Sequence, residues 1–313
     1  MSSLARQSAV NVFLSYVGIT LGFVNVVLLY PRVLGADQFG LTRLMVSIVA
    51  VAAQVAQLGL DNTVLRYFPY FRDPGRGHRG LLSLVLLVGL GGSLLAMLVL
   101  GLLHGTLTDA FNDRNGLYGS YGLLLLPLVL AEVFFIVLRA YSRSLRRSVQ
   151  PTFIRELVLR SLQTTLILAQ AVFHFPFGLF MVLYTSVFLV CTLALLFDLW
   201  RAGELHLGFA NLRLPRRLRR SITTYGFFTL SASLAAIALG NLDQVMIGAL
   251  LGDGLKYVAY YAVAYYFGSV IAAPSRALNQ LAVPMLADAW KKRDMAPIGL
   301  LYQRAAMVPL VIG

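Results

Sequence analysis

Long apolar runs separated by short, arginine-rich loops constrain this chain more than any other feature. A helix that crosses a membrane needs about 20 predominantly apolar residues. Because lipid offers the backbone no hydrogen-bond partners, each such run is expected to be a helix. The predicted spans cover residues 8–30, 41–61, 81–104, 121–140, 152–173, 177–199, 223–250 and 257–283, and a ninth begins near residue 298. The predicted fold is therefore an all-α polytopic membrane protein.

The composition agrees with a membrane protein and excludes several other classes. Hydrophobic residues make up 58% of the chain and charged residues 12%, against about 25% charged residues in soluble domains. The net charge of +13 lies largely in loops between apolar runs, so we expect no nucleic-acid partner. The chain has one cysteine, no phosphate-binding GxxxxGK[ST] loop and no clustered histidines. We therefore predict no cofactor, no metal site, no catalytic residues and no enzyme activity.

The distribution of basic residues among the loops predicts the orientation in the membrane. Arginine and lysine cluster after spans two, four, six and eight, whereas the other loops hold only Arg32, Arg114 and Lys256. The positive-inside rule then places the N-terminus in the cytoplasm. Since Arg6 precedes an apolar run that has no small-residue cleavage site, we interpret that run as a retained first span.

The second span carries a polar stripe, which predicts a surface that faces protein or water. Its polar and small residues recur every three or four positions, on one face of a single helix over residues 41–61. They are Arg43, Ser47, Ala50, Gln54, Gln57 and Asp61. The charged ends could snorkel to the membrane interface. The prediction therefore depends chiefly on the two glutamines, which need polar partners at this depth.

Spans one and five carry similar stripes. The stripe of span one includes Asn25 and a GxxxG pair, which we interpret as a packing surface in preference to a functional one. In span five, Glu156 and Arg160 have the i, i+4 spacing of a helical ion pair, and Gln163 continues their face. Because the polar face extends past snorkelling depth, the sequence favours a cavity-lining role for span five.

Ionisable residues within the other spans are candidates for ion coupling or for structural ion pairs. Glu132 is the deepest acid, and Arg139 lies two turns further along the same face of span four. We interpret Glu132 either as a proton or cation site or as half of a fixed pair with a neighbouring helix. Asp243 belongs to the polar stripe of span seven, and Arg276 and Asn279 lie within span eight.

A faint internal repeat indicates how the spans are grouped. VLGADQFGLTRLMV at 33–46 and LLGDGLKYVAYYAV at 250–263 each follow a polar-striped helix and open the next one. The predicted division is an N-terminal six-helix bundle over 1–200, a basic cytoplasmic linker over 201–222 and an incomplete C-terminal bundle over 223–313. The last apolar run is too short to span a bilayer, so we expect the chain to stop inside its ninth span.

Four stretches carry a resemblance to a known family. They are PRVLGADQFGLTRL at 31–44, QLGLDNTVLRYFP at 57–69, NLDQVMIGALLG at 241–252 and YYAVAYYFGSVIAAPSRALNQLAVPMLAD at 260–288. With these motifs the chain resembles the polysaccharide-transport, or O-antigen flippase-like, family of the multidrug/oligosaccharidyl-lipid/polysaccharide (MOP) exporter superfamily. The resemblance extends over nearly the whole chain.

The resemblance implies two six-helix bundles around a central, often positively charged cavity, of which this chain would hold the first bundle and part of the second. It also implies that an undecaprenyl-pyrophosphate-linked oligosaccharide, such as an O-antigen or exopolysaccharide repeat unit, crosses the bacterial inner membrane by alternating access. The partners would be this lipid-linked oligosaccharide, membrane lipids and other export-pathway membrane proteins such as a glycan polymerase.

The resemblance supplies no catalytic residues, so the candidate site follows from the polar stripes. The candidate cavity residues are Asn25, Arg43, Gln54, Gln57, Arg139, Arg160, Gln163, Arg276 and Asn279, and the ion-coupling candidates are Glu132 and Asp243. Two other functions stay open from the sequence. One is a cation-coupled drug or small-molecule exporter of the same superfamily, and the other is a membrane glycosyltransferase or glycan polymerase, for which the loop at 105–120 gives thin support.

Overall fold

A computed structural model of the chain describes residues 3–111, 116–208 and 215–272. Within these ranges the chain is helical and has no β-strand. The α-helices are α1 (Ser3–Phe23), α2 (Tyr30–Val33), α3 (Ala36–Ala56), α4 (Leu60–Phe71), α5 (Leu81–Leu102), α6 (His104–Ala110), α7 (Leu117–Tyr121), α8 (Leu125–Ser144), α9 (Val149–Phe153), α10 (Leu159–Phe173), α11 (Phe177–Arg201), α12 (Arg216–Leu250) and α13 (Gly254–Ile271). Short π-helical segments, Val24–Leu29 and Ile154–Val158, join α1 to α2 and α9 to α10.

Six helical segments of the described residues are long and apolar enough to cross a membrane. They are Arg6–Val33, Ala36–Phe71, Gly77–Leu102, Leu117–Ser144, Phe177–Arg201 and Arg216–Leu250. This confirms the predicted all-α polytopic membrane protein. A helix also forms at predicted span five, and α13 covers the described part of predicted span eight, but neither is among the six. The ninth predicted span lies outside the described residues.

Helix α3 lies at the centre of the packing and contacts α5, α8, α12 and α13. The side chains of Leu41, Leu44 and Met45 are completely buried. Gly40 allows the start of α13 to approach, because a Cβ atom at this position would collide with the backbone carbonyl of Leu255. The helix that the sequence marks with a polar stripe is therefore enclosed by protein.

The prediction of one helix over residues 41–61 is wrong. Helix α3 ends at Ala56, and α4 begins at Leu60 after a turn in which Leu58 and Gly59 have φ angles of 51° and 76°. Side-chain periodicity does not detect this break, because the polar residues keep their spacing across it. The turn needs glycine at position 59, since a Cβ atom there would also collide with the carbonyl oxygen of Gly226.

Helices α8 and α12 have contrasting surroundings. Helix α8 contacts α3, α4, α5 and α11, and much of its length is buried among them. Helix α12 crosses α3 and α4, and Gly226, Gln244 and Gly248 are its buried residues. It begins at Arg216, inside the segment predicted as a linker over 201–222.

Candidate functional site

A polar cavity of about 200 Å³ lies where α1, α3, α10, α11 and α13 meet. Its polar lining residues are Asn25, Tyr30, Arg43, Arg155, Glu156, Arg160, Gln163, Tyr184 and Tyr266. The structure therefore brings together four of the predicted cavity residues, which are separated by up to 138 positions in sequence: Asn25, Arg43, Arg160 and Gln163.

Both π-helical segments border this cavity. In one, the Tyr30 amide donates to the carbonyl of Asn25, and in the other the Leu159 amide donates to the carbonyl of Ile154. Single π-helical turns inside α-helices occur frequently at functional sites. The Asn25 side chain ties the first of these segments to α10, since its Nδ2 donates to the Arg160 carbonyl at 3.1 Å and its Oδ1 accepts from the Thr164 hydroxyl at 2.8 Å.

Glu132 pairs with an arginine of the neighbouring helix. Arg155 Nη1 and Nη2 donate to the two carboxylate oxygens of Glu132 at 2.8 and 2.9 Å. The Arg155 guanidinium also lies over the rings of Phe135 and Phe188, at 5.4 and 5.9 Å from their centroids. Of the two interpretations of Glu132, the geometry matches the fixed pair between helices, because both carboxylate oxygens are occupied.

The predicted i, i+4 pair of span five is present and faces the GxxxG pair of span one. Arg160 Nη2 lies 3.0 Å from Glu156 Oε2, and Arg160 Nη1 donates to the Tyr266 hydroxyl at 2.6 Å. A Cβ atom at Gly18 would collide with the Glu156 side chain, and one at Gly22 would collide with Arg160 and Tyr266. The two glycines therefore make room for a charged pair beside the cavity in addition to packing helices.

Arg43 differs from the other two arginines of the cavity because it forms no ion pair within the described residues. Its Nη2 donates to the Tyr184 hydroxyl at 3.1 Å, and its guanidinium lies 5.3 Å from the ring centroid of Tyr30 and 5.6 Å from that of Phe39. Its Nε atom is buried and has no hydrogen-bond partner in the described part of the chain. Arg43 thus retains both its charge and donor capacity for a ligand.

The charges around the cavity leave a positive excess. Arg155 and Arg160 are each compensated by a glutamate, Glu132 and Glu156, whereas Arg43 is not. Guanidinium groups bind phosphate well, since their planar fork of donors matches the geometry of phosphate oxygens. The amides and hydroxyls that share the lining can donate to and accept from sugar hydroxyl groups. The arrangement is suited to a ligand that is both anionic and polyhydroxylated.

Other predicted residues lie outside the cavity. Gln54 is buried in α3, and Gln57 follows the end of that helix and accepts a hydrogen bond from the Asp61 amide at 3.0 Å. Gln57 therefore caps the start of α4 instead of lining the cavity. Arg139 Nη2 pairs with Asp61 Oδ2 at 3.2 Å. Asp243 accepts from the Tyr261 hydroxyl at 2.6 Å, on an exposed face of α12 and α13.

Two predicted residues, Arg276 and Asn279, lie outside the described residues. The polar stripe of α3 itself is partly satisfied by α12, since Ser47 Oγ donates to Gln244 Oε1 at 3.0 Å in a buried position. The stripe was predicted to face either protein or water, and Ser47 faces protein.

Four polar residues of the lining are not among the candidates that the polar stripes predict: Tyr30, Arg155, Tyr184 and Tyr266. Tyr30 ends the first predicted span, and Tyr184 lies inside the sixth. A tyrosine within a predicted span is a usable signal, because its buried hydroxyl usually needs a partner.

Fold and site together define a polytopic, all-α membrane protein with a basic, polar cavity between its helices. The family model of polysaccharide biosynthesis proteins matches residues 4–290. The chain therefore belongs to this polysaccharide biosynthesis family of MOP-type flippases, and is in general terms a polysaccharide-related membrane transporter. Neither the curated proteins nor the solved structures compared with the chain gave a match.

Proposed function

We propose that this protein flips an undecaprenyl-pyrophosphate-linked oligosaccharide across the bacterial inner membrane by alternating access. The observation that carries the proposal is the uncompensated guanidinium of Arg43 in a polar cavity of a polysaccharide-family transporter. A pyrophosphate needs cationic, multiply donating partners, and Arg43 supplies both charge and free donor capacity. The enzymatic alternative gains no support from the residues around this cavity.

The neighbours of Arg43 give the ligand site its further parts. Tyr30 and Phe39 hold the guanidinium in place by stacking, which leaves its edge free for phosphate oxygens. Gln163 and Tyr184 line the same space and can bond to sugar hydroxyls. The prenyl tail of the substrate would stay in the lipid, because the tail is apolar and the cavity lining is polar.

The size of the cavity supports a change of conformation during transport. Its volume of about 200 Å³ is below the roughly 300–1,000 Å³ of typical small-ligand sites. An oligosaccharide therefore requires the cavity to widen. The hydrogen bond from Arg160 to Tyr266 joins α10 to α13, and separating these helices would open the cavity on that side.

We further propose the cytoplasmic N-terminus that the loop charges predict, with Asp243 as the candidate for ion coupling. Asp243 would act at a distance from the cavity, through its hydrogen bond to Tyr261.

The test is glycan export by cells whose chromosomal gene carries Arg43→Ala, Arg43→Lys or Arg160→Ala. We expect Arg43→Ala to lower surface glycan at least about tenfold, since a charged hydrogen bond is lost, and Arg43→Lys to retain part of it. The matched control is Arg201→Ala, which removes an exposed arginine remote from the cavity. Membrane protein levels must be equal in all strains. Wild-type export by both alanine variants of the cavity would contradict the proposal.

A further inference from the structure

A second cleft of the molecule lies away from the polar cavity and shares no residue with it. It is an apolar groove of about 420 Å³ between α4, α5 and the first half of α12. Its walls are mainly aliphatic side chains: Leu60, Val64, Leu84, Val85, Val88 and Leu230. A groove of this composition accepts a hydrocarbon chain and rejects a sugar or a free ion.

One end of the groove is strongly basic. Arg219 lines the groove itself, and the adjoining pocket of about 440 Å³ contains Arg66, Arg217 and Arg220. Tyr67 lines both spaces, so the apolar and the basic parts are continuous. None of the four arginines forms an ion pair with a described carboxylate, in contrast to Arg155 and Arg160 of the cavity.

The surroundings of Arg66 suit a bound anion. Its guanidinium lies 4.2 Å from the ring centroid of Tyr225, a cation–π contact that uses none of its N–H donors. Ser221 and Thr224 add hydroxyl groups to the same pocket. Phosphate oxygens would find both charge and hydrogen-bond donors here.

A buried hydroxyl in the groove wall has no partner. Thr63 is 5% exposed, and its Oγ1 makes no hydrogen bond to the described residues. Among aliphatic neighbours such a group is costly unless a ligand or water satisfies it. The ester carbonyl of a glycerolipid could be the missing acceptor. It can enter an apolar groove because it is covalently attached to the acyl chain.

We propose that this groove and its basic end form a binding site for an anionic phospholipid of the membrane. One acyl chain lies along the aliphatic walls, the phosphate is bound by Arg66 and Arg219, and an ester carbonyl accepts from Thr63. The clustered positive charge selects an anionic headgroup over a zwitterionic one. Because the groove borders both α4 and α12, the lipid bridges the first bundle and the helix that follows it. This site is separate from the transport cavity, and the proposal does not depend on the transported substrate.

The preference for an anionic headgroup is tested by native mass spectrometry of the purified protein, titrated with phosphatidylglycerol or phosphatidylcholine in mild detergent. We expect one phosphatidylglycerol to bind at least about tenfold more tightly than phosphatidylcholine. The double variant Arg66→Gln/Arg219→Gln should lose about tenfold in affinity for phosphatidylglycerol, because charged hydrogen bonds are removed. The control Arg72→Gln/Arg201→Gln removes two exposed arginines outside the groove and should change this affinity less than about twofold.

Binding of the acyl chain in the groove is tested by filling the groove with a larger side chain. Val88→Trp places a bulky ring in the lining and should lower phosphatidylglycerol binding about tenfold, since the acyl chain loses its apolar contacts. Leu87→Trp is the matched control, because Leu87 is 57% exposed and does not line the groove. Size-exclusion profiles and circular dichroism check that each variant folds. If the arginine double variant fails to fold, the two tryptophan variants decide.

Several outcomes would overturn the proposal. One is equal binding of the two phospholipids by the wild type, and another is unchanged phosphatidylglycerol binding by the double arginine variant or Val88→Trp. Displacement of phosphatidylglycerol by equimolar undecaprenyl phosphate would also overturn it, since the site would then select the prenyl carrier. Loss of glycan export in Arg43→Ala has no bearing on these results, so the two proposals fail separately.

Discussion

The polar cavity and the apolar groove both contain several arginines, but they differ in whether these arginines are paired with carboxylates. In the cavity, Arg155 pairs with Glu132 of α8, and Arg160 pairs with Glu156 one helical turn before it. At the groove, Arg66 and Arg219 have no acidic partner in the described residues. A charge inside the membrane needs a counterion, whereas one near the interface is satisfied by water and lipid headgroups. By this standard Arg43, which lies in the cavity without a carboxylate, is the exception.

We propose that an anionic ligand binds at this exception. The charges of Arg155 and Arg160 are neutralised by Glu132 and Glu156, so removing either glutamate should destabilise the fold. Arg43 is held by aromatic rings and one tyrosine hydroxyl, so its loss should damage ligand binding more than folding. The following substitutions test this difference between paired and unpaired arginines.

The largest effect is expected for Glu132→Ala. It leaves Arg155 without its counterion and should lower the free energy of unfolding in detergent by about 3 kcal/mol. Asp198→Ala is the comparison, because it also removes a carboxylate that accepts two hydrogen bonds from an arginine, here both from Arg147 Nη2. The two arginines are about equally exposed, at 31% and 33%, but the Asp198 side chain is 28% exposed against 12% for Glu132, so water can more readily take the place of the Asp198 carboxylate. There we expect a loss of about 1 kcal/mol or less. If thermal unfolding shows equal losses of stability for the two variants, the Glu132 pair is no more important to the fold than the Asp198 pair.

An intermediate effect is expected for Gly22→Ala. The added methyl group collides with Arg160 and Tyr266, and such overpacking should destabilise the protein by about 2 kcal/mol. Gly91→Ala in α5 is the matched control, because a Cβ atom there meets nothing within 4 Å. It should leave the stability unchanged or raise it by up to about 1 kcal/mol. An unaltered melting temperature for Gly22→Ala would show that the charged pair is not packed against span one.

The smallest effect is expected for Arg219→Gln. Since Arg219 has no described carboxylate partner, delipidated protein in detergent should change its free energy of unfolding by less than about 0.5 kcal/mol. The measurement is thermal unfolding beside Glu132→Ala under the same conditions. A loss as large as that of Glu132→Ala would mean that the groove arginines are structural as well, which would end the comparison between the two regions.

Much of the fold was predictable from the sequence, because membrane helices are encoded locally. Apolar length predicted the six membrane-spanning segments of the described residues, and i, i+4 spacing predicted the pair of Glu156 and Arg160, which the structure confirms. The break at Leu58–Gly59 was not predicted, since the polar spacing continues across it. It depends on left-handed backbone angles and on the close approach of Gly226.

The site was predictable only in part, because its pairings are tertiary. The sequence allowed Glu132 a fixed pair with a neighbouring helix, but it did not identify Arg155 as the partner. Arg139 pairs with Asp61, beyond the break that ends α3. A helical stripe shows which residues share a face, but the partner across that face depends on how whole helices pack.

Anion binding by Arg43 is best tested by the affinity of the purified protein for undecaprenyl pyrophosphate, measured for the wild type, Arg43→Gln and Arg201→Gln. We expect Arg43→Gln to lower this affinity at least about tenfold, while the melting temperature stays near that of the wild type. Arg201→Gln should leave both unchanged. Wild-type affinity in Arg43→Gln would contradict the assignment of Arg43 as the anion-binding residue of the cavity.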